Sequence, residues 1–447
     1  MALARTSSVA QLPLGLAKRP PAPTPSPAPV TTWGPPAPVG LIAALDVGTT
    51  KVCCLIARSD GEGGLGVFGI GHHLARGLRA GAVVDMEGAE NSICAAVDAA
   101  EAMAGEAIHS AYVNISAGRQ RSQTIGVEVS VAGNQVSDTD IARAVDQAMV
   151  RADTEGRDVI HAVSTRYSID GAVGIHDPRG MYGVKLGVNL HVVTADSSPA
   201  RNLAVCVERG HLEALGPVAS PYASGLAVLV EDEMDLGATV IDMGGGTTTI
   251  SVFYEGALAL VESIPVGGRH VTNDIARGLS TPTVQAERMK TLFGSAVAGP
   301  NDEKELIDVP PLGEAKQSGA NHVPRSALTG IIRPRLEEIF EMARGRLEAS
   351  GYQNLGGRRV VLTGGASQLQ GAAETATRIF ENQVRLGRPT GVDGLADATT
   401  GPAFSTATGL LKYAASGLAD RDVGGRLNMP KSAGFVAHIG QWLRENF

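Results

Sequence analysis

Two stretches of this 447-residue chain share one pattern of apolar and small polar residues. The first is LIAALDVGTTKVCCLIA, residues 41–57, and the second is ATVIDMGGGTTTISVF, residues 238–253. In each stretch an apolar run ends in Asp-x-Gly, and a second apolar run follows a few glycine and hydroxyl residues. Short apolar runs bounded by glycine are typical of buried strands. Each stretch therefore predicts a strand, a tight turn and a second strand.

The sequence between these two motifs predicts a compact α+β module. Residues 81–118 carry apolar side chains at helical spacing, at Ile93, Ala96, Val97 and Ala100. The strand-like runs AYVNISAG and SQTIGVEVSV come next, followed by a second helix from about Ser137 to Ala152. The run RDVIHAVSTRYSID then predicts a further strand. We interpret this region as a module inserted between the two motifs.

A long amphipathic helix is predicted over Ala327–Gly351. Its apolar stripe comprises Leu328, Ile331, Ile332, Leu336, Ile339, Phe340, Ala343 and Leu347. Pro334 falls inside the pattern, so it either kinks the helix or marks its first turn. Arg335 and Glu338 fall on the polar side as two unpaired charges, which by default form part of a solvated face.

The two ends of the chain have a different composition from the rest. Residues 1–39 are rich in proline and predict an extended, disordered tail, because Pro13 interrupts the only apolar stretch that a targeting peptide could use. Residues 416–432 predict a flexible linker. Residues 433–447 predict an amphipathic helix whose apolar face comprises Phe435, Val436, Ile439, Trp442, Leu443 and Phe447. This helix either docks on the protein's own core or lies in a membrane surface, and its terminal position favours the membrane.

Charge and cysteine content exclude some classes of protein. The net charge of −8 argues against a general nucleic-acid-binding surface. The four cysteines form no C-x-x-C pair, and adjacent Cys53 and Cys54 suit a buried strand in a reducing compartment. No apolar run reaches the roughly 18 residues that a membrane span requires.

The two glycine turns are candidate phosphate-binding loops, because consecutive backbone N–H groups without bulky side chains can surround a phosphate. The candidate residues are Gly48, Thr49, Thr50 and Lys51 in the first turn, and Gly244, Gly245, Gly246, Thr247 and Thr248 in the second. Asp46 and Asp242 end the preceding strands and would face the same phosphates. Carboxylates repel phosphates, so a Mg²⁺ ion held through water is implied between them. The alternative is two ordinary glycine hairpins, and the repetition argues against it.

A third glycine motif lies in RRVVLTGGASQLQGAAE, residues 358–374. A strand runs into Gly364 and Gly365, and Ser367 is predicted to cap the helix that follows. Glycines at such a strand-to-helix turn allow a flat ring to lie on the backbone. The three motifs together therefore predict a site for a polyphosphate that carries a flat ring.

This order resembles that of the actin, Hsp70 and sugar-kinase superfamily, and its detail resembles the FtsA family of bacterial cell-division proteins. The resemblance covers roughly residues 40–447 and rests on LDVGTTKV, VIDMGGGTTTISVF, residues 266–290 and GPAFSTATGLL. It implies an actin-like two-domain α/β fold, with duplicated five-stranded mixed sheets around a nucleotide cleft and an inserted α+β subdomain. It also implies ATP and Mg²⁺ binding with slow hydrolysis at most. The N-terminal tail and the loop at residues 299–324 depart from the family.

The resemblance also implies the division of the chain. Domain 1 would comprise residues 40–82, 196–232 and 401–415, interrupted by the inserted subdomain at 83–195. Domain 2 would comprise a core at 233–278 and 353–400, with a partner-binding subdomain at 279–352.

Partners are likewise implied by the resemblance. Glu287 and Lys290, three residues apart on one helix face, would contact the ribose and base, although their spacing also fits a surface ion pair. Arg335 and Glu338 would bind the C-terminal tail of the division protein FtsZ. The protein would form actin-like filaments on the cytoplasmic face of the inner membrane at the division septum and recruit later division proteins.

Three other classes of protein compete with this interpretation. A sugar kinase needs a catalytic carboxylate in the insert, and no candidate stands out. An Hsp70-type chaperone needs a large substrate domain, whereas only a short segment follows Tyr413. A PilM-like pilus adapter shares the insert but is not expected to carry the terminal amphipathic helix.

Overall fold

The computed structural model describes residues 40–61, 64–312, 321–353, 355, 359–418 and 422. The strands are β1 (Gly40–Val47), β2 (Lys51–Ser59), β3 (Leu65–Leu74), β4 (Leu78–Arg79), β5 (Ala82–Val83), β6 (Ser110–Ile115), β7 (Arg121–Ser130), β8 (Arg157–Ile169), β9 (Ala172–Ile175), β10 (Lys185–Asp196), β11 (Glu213–Ala219), β12 (Ala238–Met243), β13 (Thr248–Tyr254), β14 (Ala257–Ile264), β15 (Leu306–Val309), β16 (Asn321–Pro324), β17 (Arg359–Thr363) and β18 (Gln383–Leu386). The helices are α1 (Met86–Ala104), α2 (Asp138–Arg151), α3 (Ser197–Arg209), α4 (Ser220–Val228), α5 (Glu231–Leu236), α6 (Gly268–Gly278), α7 (Thr283–Phe293), α8 (Arg325–Ser350), α9 (Ala372–Phe380) and α10 (Ser405–Ala415).

The first sheet has five strands in the order β11-β6-β1-β2-β3. Strands β1, β2 and β3 run antiparallel to one another, whereas β6 is parallel to β1 and β11 is parallel to β6. Strand β2 is buried on both of its faces, one of which carries Cys53 and the other Cys54, and both are free thiols as expected. This sheet is the mixed five-stranded sheet that the family resemblance implies for domain 1.

The second sheet repeats this arrangement in β18-β17-β12-β13-β14. Here β12, β13 and β14 are antiparallel, and β17 and β18 extend the sheet in parallel from β12. The expected duplication is therefore confirmed strand by strand. The sheet does not stop at five strands, however, because β7, β10, β8 and β9 continue it to nine. A single residue pair, Glu262 opposite Arg121, joins β14 to β7.

The inserted module consists of these four additional strands and α2, which packs on β7 and β10. Ser137 caps α2, and Asp140 completes the capping box by accepting from the backbone of Ser137. Apolar residues of the sheet and of α2 form a separate small core. The predicted helix and strands of this region are confirmed.

Helix α1 does not belong to the inserted module. It packs on β3 and β2, and its face formed by Ala89, Ile93, Ala96, Val97 and Ala100 is buried in the core of the first sheet. The predicted start of the insert at residue 83 is therefore too early. Helical spacing revealed the buried face of α1 but not which sheet covers that face.

Helices α6, α7 and α8 pack together beside the second sheet. The predicted apolar stripe of α8 is confirmed, since all of its members are buried except Ile331, which is partly buried. The helix begins at Arg325, so Pro334 lies in its interior and does not mark its first turn. The predicted N-terminal tail, the amphipathic helix at 433–447 and most of the linker at 416–432 lie outside the described residues.

Candidate functional site

The two Asp-x-Gly motifs form the same turn. The Gly48 N–H donates to the carbonyl of Lys51 at 3.0 Å, and the Gly244 N–H donates to the carbonyl of Thr247 at 2.9 Å. Each turn joins two antiparallel strands, β1 to β2 and β12 to β13. The repeat in the sequence is therefore a repeat of backbone geometry.

The two turns face each other at close range. A Cβ atom on Gly245 would lie 2.0 Å from Oγ1 of Thr50, and a Cβ on Gly246 would lie 2.5 Å from Oγ1 of Thr49. Any side chain at these two glycines would push the turns apart. The structure thus brings together the turns that the sequence predicts to act from both sides of one ligand.

Helix α6 supports the second turn through hydrogen bonds to the carbonyl groups of that turn. The N–H groups of Gly268 and Arg269, in the first turn of α6, donate to the carbonyls of Gly244 and Gly245 at 2.9 and 2.8 Å. The hydroxyl of Thr248 donates to the carbonyl of Val266 at 2.8 Å. These bonds fix the carbonyl side of the turn.

The ammonium of Lys51 lies near enough to both predicted acidic residues for its charge to act on them. The ammonium of Lys51 is buried, lies 3.5 Å from the centre of the Phe404 ring, and has no hydrogen-bond acceptor among the described residues. Asp46 and Asp242 are both buried as well. Burial raises the pKa of Asp46 to about 6; the positive charge of Lys51 opposes this rise, and the charge of Asp242 adds to it. Burial also raises the pKa of Asp242.

Each aspartate is held by polar side chains that the sequence analysis missed. The amide of Asn114 on β6 donates to Asp46 at 2.8 Å. The hydroxyls of Ser224 on α4 and Thr406 on α10 donate to Asp242, the latter at 3.1 Å. These partners come from elements distant in the chain, and no local motif marks them.

The third glycine motif lies directly against the second turn. Gly364 has φ 84°, and a Cβ there would lie 2.2 Å from Oδ1 of Asp242, so only glycine fits without strain. The predicted capping role of Ser367 is wrong. Its hydroxyl donates to the carbonyl of Gly364 at 2.7 Å within a short 3₁₀ helix, Gly365–Gln368, and the next α-helix begins only at Ala372.

Glu287 and Lys290 lie on α7 near this motif. The ammonium of Lys290 donates to Glu287 at 2.8 Å, to the hydroxyl of Thr272 at 2.9 Å and to the carbonyl of Gly268 at 3.2 Å. A Cβ on Gly268 would lie 2.9 Å from that of Ala366, which places the pair beside the third motif. The side chain of Lys290 is only 15% exposed, so the pair fastens α7 to α6 and is more than a solvated surface pair.

Arg335 and Glu338 do not form the pair of unpaired charges that the sequence predicts. The guanidinium of Arg335 binds both carboxylate oxygens of Asp274 on α6 and also contacts Glu338. Asp274 is too distant in sequence to be recognised from helical spacing. The predicted membrane-facing residues all lie outside the described part of the chain.

No helix in the described ranges is both long and apolar enough to cross a membrane. Within the same ranges, no cluster of three or more His, Cys, Asp or Glu side chains could hold a metal ion by itself. A Mg²⁺ ion at Asp46 and Asp242 would therefore need ligands from water or a bound phosphate.

Comparisons with known proteins agree with this geometry. The family model "Cell division protein FtsA" matches residues 239–409, and the model "SHS2 domain inserted in FTSA" matches residues 117–194. The second match begins after β6, in agreement with the structural start of the inserted module.

Curated relatives match over most of the chain. Cell division protein FtsA of Agrobacterium fabrum is 45% identical over 91% of this chain and 95% of its own length. Cell division protein FtsA of Escherichia coli K12 is 33% identical over 91% of this chain and 98% of its own length.

A solved structure shares the fold. The PilM-PilN type IV pilus biogenesis complex aligns with a TM-score of 0.61 at 16% identity, covering 85% of this chain and 99% of that chain. At this identity the likeness concerns the fold alone. Together with the duplicated sheets, it confirms the predicted actin-like α/β fold. The identity to curated relatives and the two family matches show that this chain belongs to the FtsA family of cell division proteins.

Proposed function

We propose that this cell-division protein binds ATP with Mg²⁺ between its two glycine turns and tethers the FtsZ ring to the cytoplasmic face of the inner membrane. The observation that carries the nucleotide site is the ammonium of Lys51. It is buried with no acceptor in the part of the chain that the structure describes, and it lies next to two facing turns whose glycine positions leave no room for a side chain. A phosphate oxygen supplies the acceptor that this ammonium lacks.

The buried carboxylates explain why a divalent cation accompanies the nucleotide. Asp46 and Asp242 add negative charge where phosphates would bind, and Lys51 offsets only part of it. Mg²⁺ keeps several waters and uses few carboxylates together with phosphate oxygens. These two residues are therefore suited to hold its hydrated form. When bound, the ion would neutralise the phosphates.

The third motif is proposed to hold the adenosine. Gly364 and Gly365 present backbone without side chains next to Asp242, and Ser367 secures the turn. Glu287 and Lys290 lie beside this motif and are proposed to face the ribose and base.

Calorimetry with Mg-ATP tests the nucleotide site. A charge-assisted hydrogen bond contributes about 1.5–3 kcal/mol, so Lys51→Met should weaken binding by one to two orders of magnitude, roughly. Gly245→Val should abolish binding because its side chain would meet Thr50. The control is Lys185→Met, which removes an exposed lysine paired with Glu128 on the inserted module. Equal affinity of the Lys51 variant and the control would contradict the proposal.

The division role shown by the family supports the proposed tether. Filaments of this actin-like protein would present many C-terminal helices to one membrane surface, and α8 with its neighbours would bind the C-terminal tail of FtsZ. Recruitment of later division proteins is proposed for the inserted module. The experiments on the tail and on α8 are described in the Discussion.

A further inference from the structure

We propose that the joint between the inserted module and the first sheet is a binding site for the carboxylate of Asp422, and that this contact couples the placement of the module to that of α10. This residue lies beyond the last described helix, in a segment whose composition predicts a flexible linker. Its side chain is nevertheless buried, at 2% exposure. The linker prediction is therefore wrong at this position.

Three donors from the folded body satisfy the carboxylate of Asp422. The Ala162 N–H donates to Oδ1 at 2.8 Å, the Tyr413 hydroxyl donates to Oδ2 at 3.0 Å, and Nδ1 of His161 contacts Oδ2. A buried carboxylate is strongly unfavourable unless its oxygens accept hydrogen bonds. Three donors from separate elements therefore hold this carboxylate, in contrast to an exposed surface contact.

The tautomer of His161 is set by the backbone of the first sheet. Its Nε2 atom accepts from the N–H of Ala219 at 2.9 Å, so Nε2 carries no proton. The ring proton therefore resides on Nδ1 and is donated to Asp422. A single N–H at the end of β11 thus prepares the histidine to bind a carboxylate.

Aromatic rings form the walls of this site. His161 lies edge-on to Tyr222 and Tyr413, with ring centres 5.2 and 5.7 Å apart, and the two tyrosines are 5.8 Å from each other. Such walls exclude water, which strengthens each hydrogen bond to the carboxylate. Removal of the carboxylate therefore costs more stability here than at the surface, because its buried donors are then left without an acceptor.

The donors come from different parts of the fold. His161 and Ala162 belong to β8 of the inserted module, whereas Tyr413 belongs to α10, which packs on the first sheet. Asp422 can bind only when β8 and α10 are in this relative position. The site therefore couples the position of Asp422 to the placement of the inserted module. This inference does not depend on nucleotide binding.

Hydrogen exchange of the full-length protein, followed by mass spectrometry, tests the site. Asp422→Asn should increase exchange in the peptide that contains residue 422 by about tenfold or more, because the amide presents N–H groups to donors and the bond from the N–H of residue 422 to the carbonyl of Leu418 is then no longer held in place. The matched control is Asp420→Asn, which makes the same charge change two residues earlier in the chain. Equal exchange in the Asp422 variant and the wild type, or equal increases in both variants, would overturn the proposal.

Exchange in α8 reports whether a variant is folded as a whole. If Asp422→Asn also increases exchange there, Tyr413→Phe decides the question, since it removes one donor and keeps the ring. A local increase in the peptide that contains residue 422, with unchanged exchange in α8, supports the site. No increase in the Tyr413 variant would then overturn it.

Discussion

At the scale of single residues, Asp46 is a buried carboxylate whose ionised form is destabilised by the fold. Its pKa rises from 3.8 to about 6 because burial disfavours the ionised form. The folded protein therefore binds this proton more tightly than the unfolded chain does. As the pH rises from about 4 to about 6, the free energy of unfolding falls. Above about pH 6 it is lower by about 3 kcal/mol than at low pH, because the buried carboxyl is then ionised.

We expect Asp46→Asn to stabilise the nucleotide-free protein at pH 7.5 by about 1–3 kcal/mol, because the buried charge is removed. The advantage should shrink as the pH falls towards 4, where the native carboxyl is protonated. Thermal unfolding across this pH range measures the difference. The same variant should bind Mg-ATP more weakly.

Asp140 is a suitable control, because its pKa is shifted in the opposite direction to that of Asp46. Hydrogen bonds, first from the Ser137 hydroxyl and then from backbone N–H groups, lower its pKa to about 2. Its ionised form stabilises the fold at neutral pH, and that contribution is lost as the pH falls through about 2. Asp140→Asn should therefore destabilise the protein at pH 7.5. A decrease in the thermal midpoint with both variants would refute our interpretation of Asp46.

At the scale of elements, α8 carries both a structural and a proposed binding role. Arg335→Glu should abolish capture of an FtsZ C-terminal tail peptide, measured by pull-down with Mg-ATP affinity as the test of folding. Arg333→Glu is the matched control, since Arg333 lies on the same helix and is paired within it to Glu337. Equal capture by the Arg335 variant and the control would mean that another face binds the peptide.

Because Arg335 also binds Asp274, its replacement loosens α6 from α8. Glu338→Gln separates the two effects, since Glu338 is half exposed and its loss leaves the pair between Arg335 and Asp274 in place. Reduced capture by this variant, with unchanged stability, would assign the effect to the binding surface.

Two exposed glycines weaken α8 without serving a contact. A Cβ on Gly330 or Gly345 would meet no atom within 4 Å. Gly330→Ala and Gly345→Ala should each raise the free energy of unfolding by about 0.5–1 kcal/mol, because alanine loses less backbone entropy in a helix. Chemical denaturation measures the gain. A loss of stability in either variant would show that the position has a contact partner in solution.

At the scale of the whole molecule, the proposed membrane attachment depends on assembly. An interfacial helix buries its apolar face only in part and loses entropy on folding, so one tail binds weakly. Filaments hold many tails at high effective concentration. Trp442→Glu should therefore release the protein from vesicles, as measured by co-sedimentation. A variant that cannot assemble, with its tail intact, should bind far more weakly at low concentration; if it sediments as well as the filament, a single helix suffices.

Local patterns in the sequence determined the elements that surround the site. The period of the apolar residues predicts β1, β2, β12, β13 and the buried stripe of α8, because helices and strands repeat over a few residues. The glycine and threonine residues predict the two facing turns, because a turn that another group approaches closely cannot carry large side chains. The repeat of Asp-x-Gly predicted a duplicated strand–turn–strand motif, and the resemblance to a known family supplied the rest of the duplicated fold.

Only the tertiary structure decided which side chains meet. Asn114 holds Asp46 across 68 residues, and Thr406 holds Asp242 across 164. The same is true of the sheet that covers α1, and of the pairs that join Arg335 to Asp274 and Asp422 to His161. A hydrogen bond depends on distance and direction between atoms, and residues this far apart in the chain leave no period in the sequence that could reveal them.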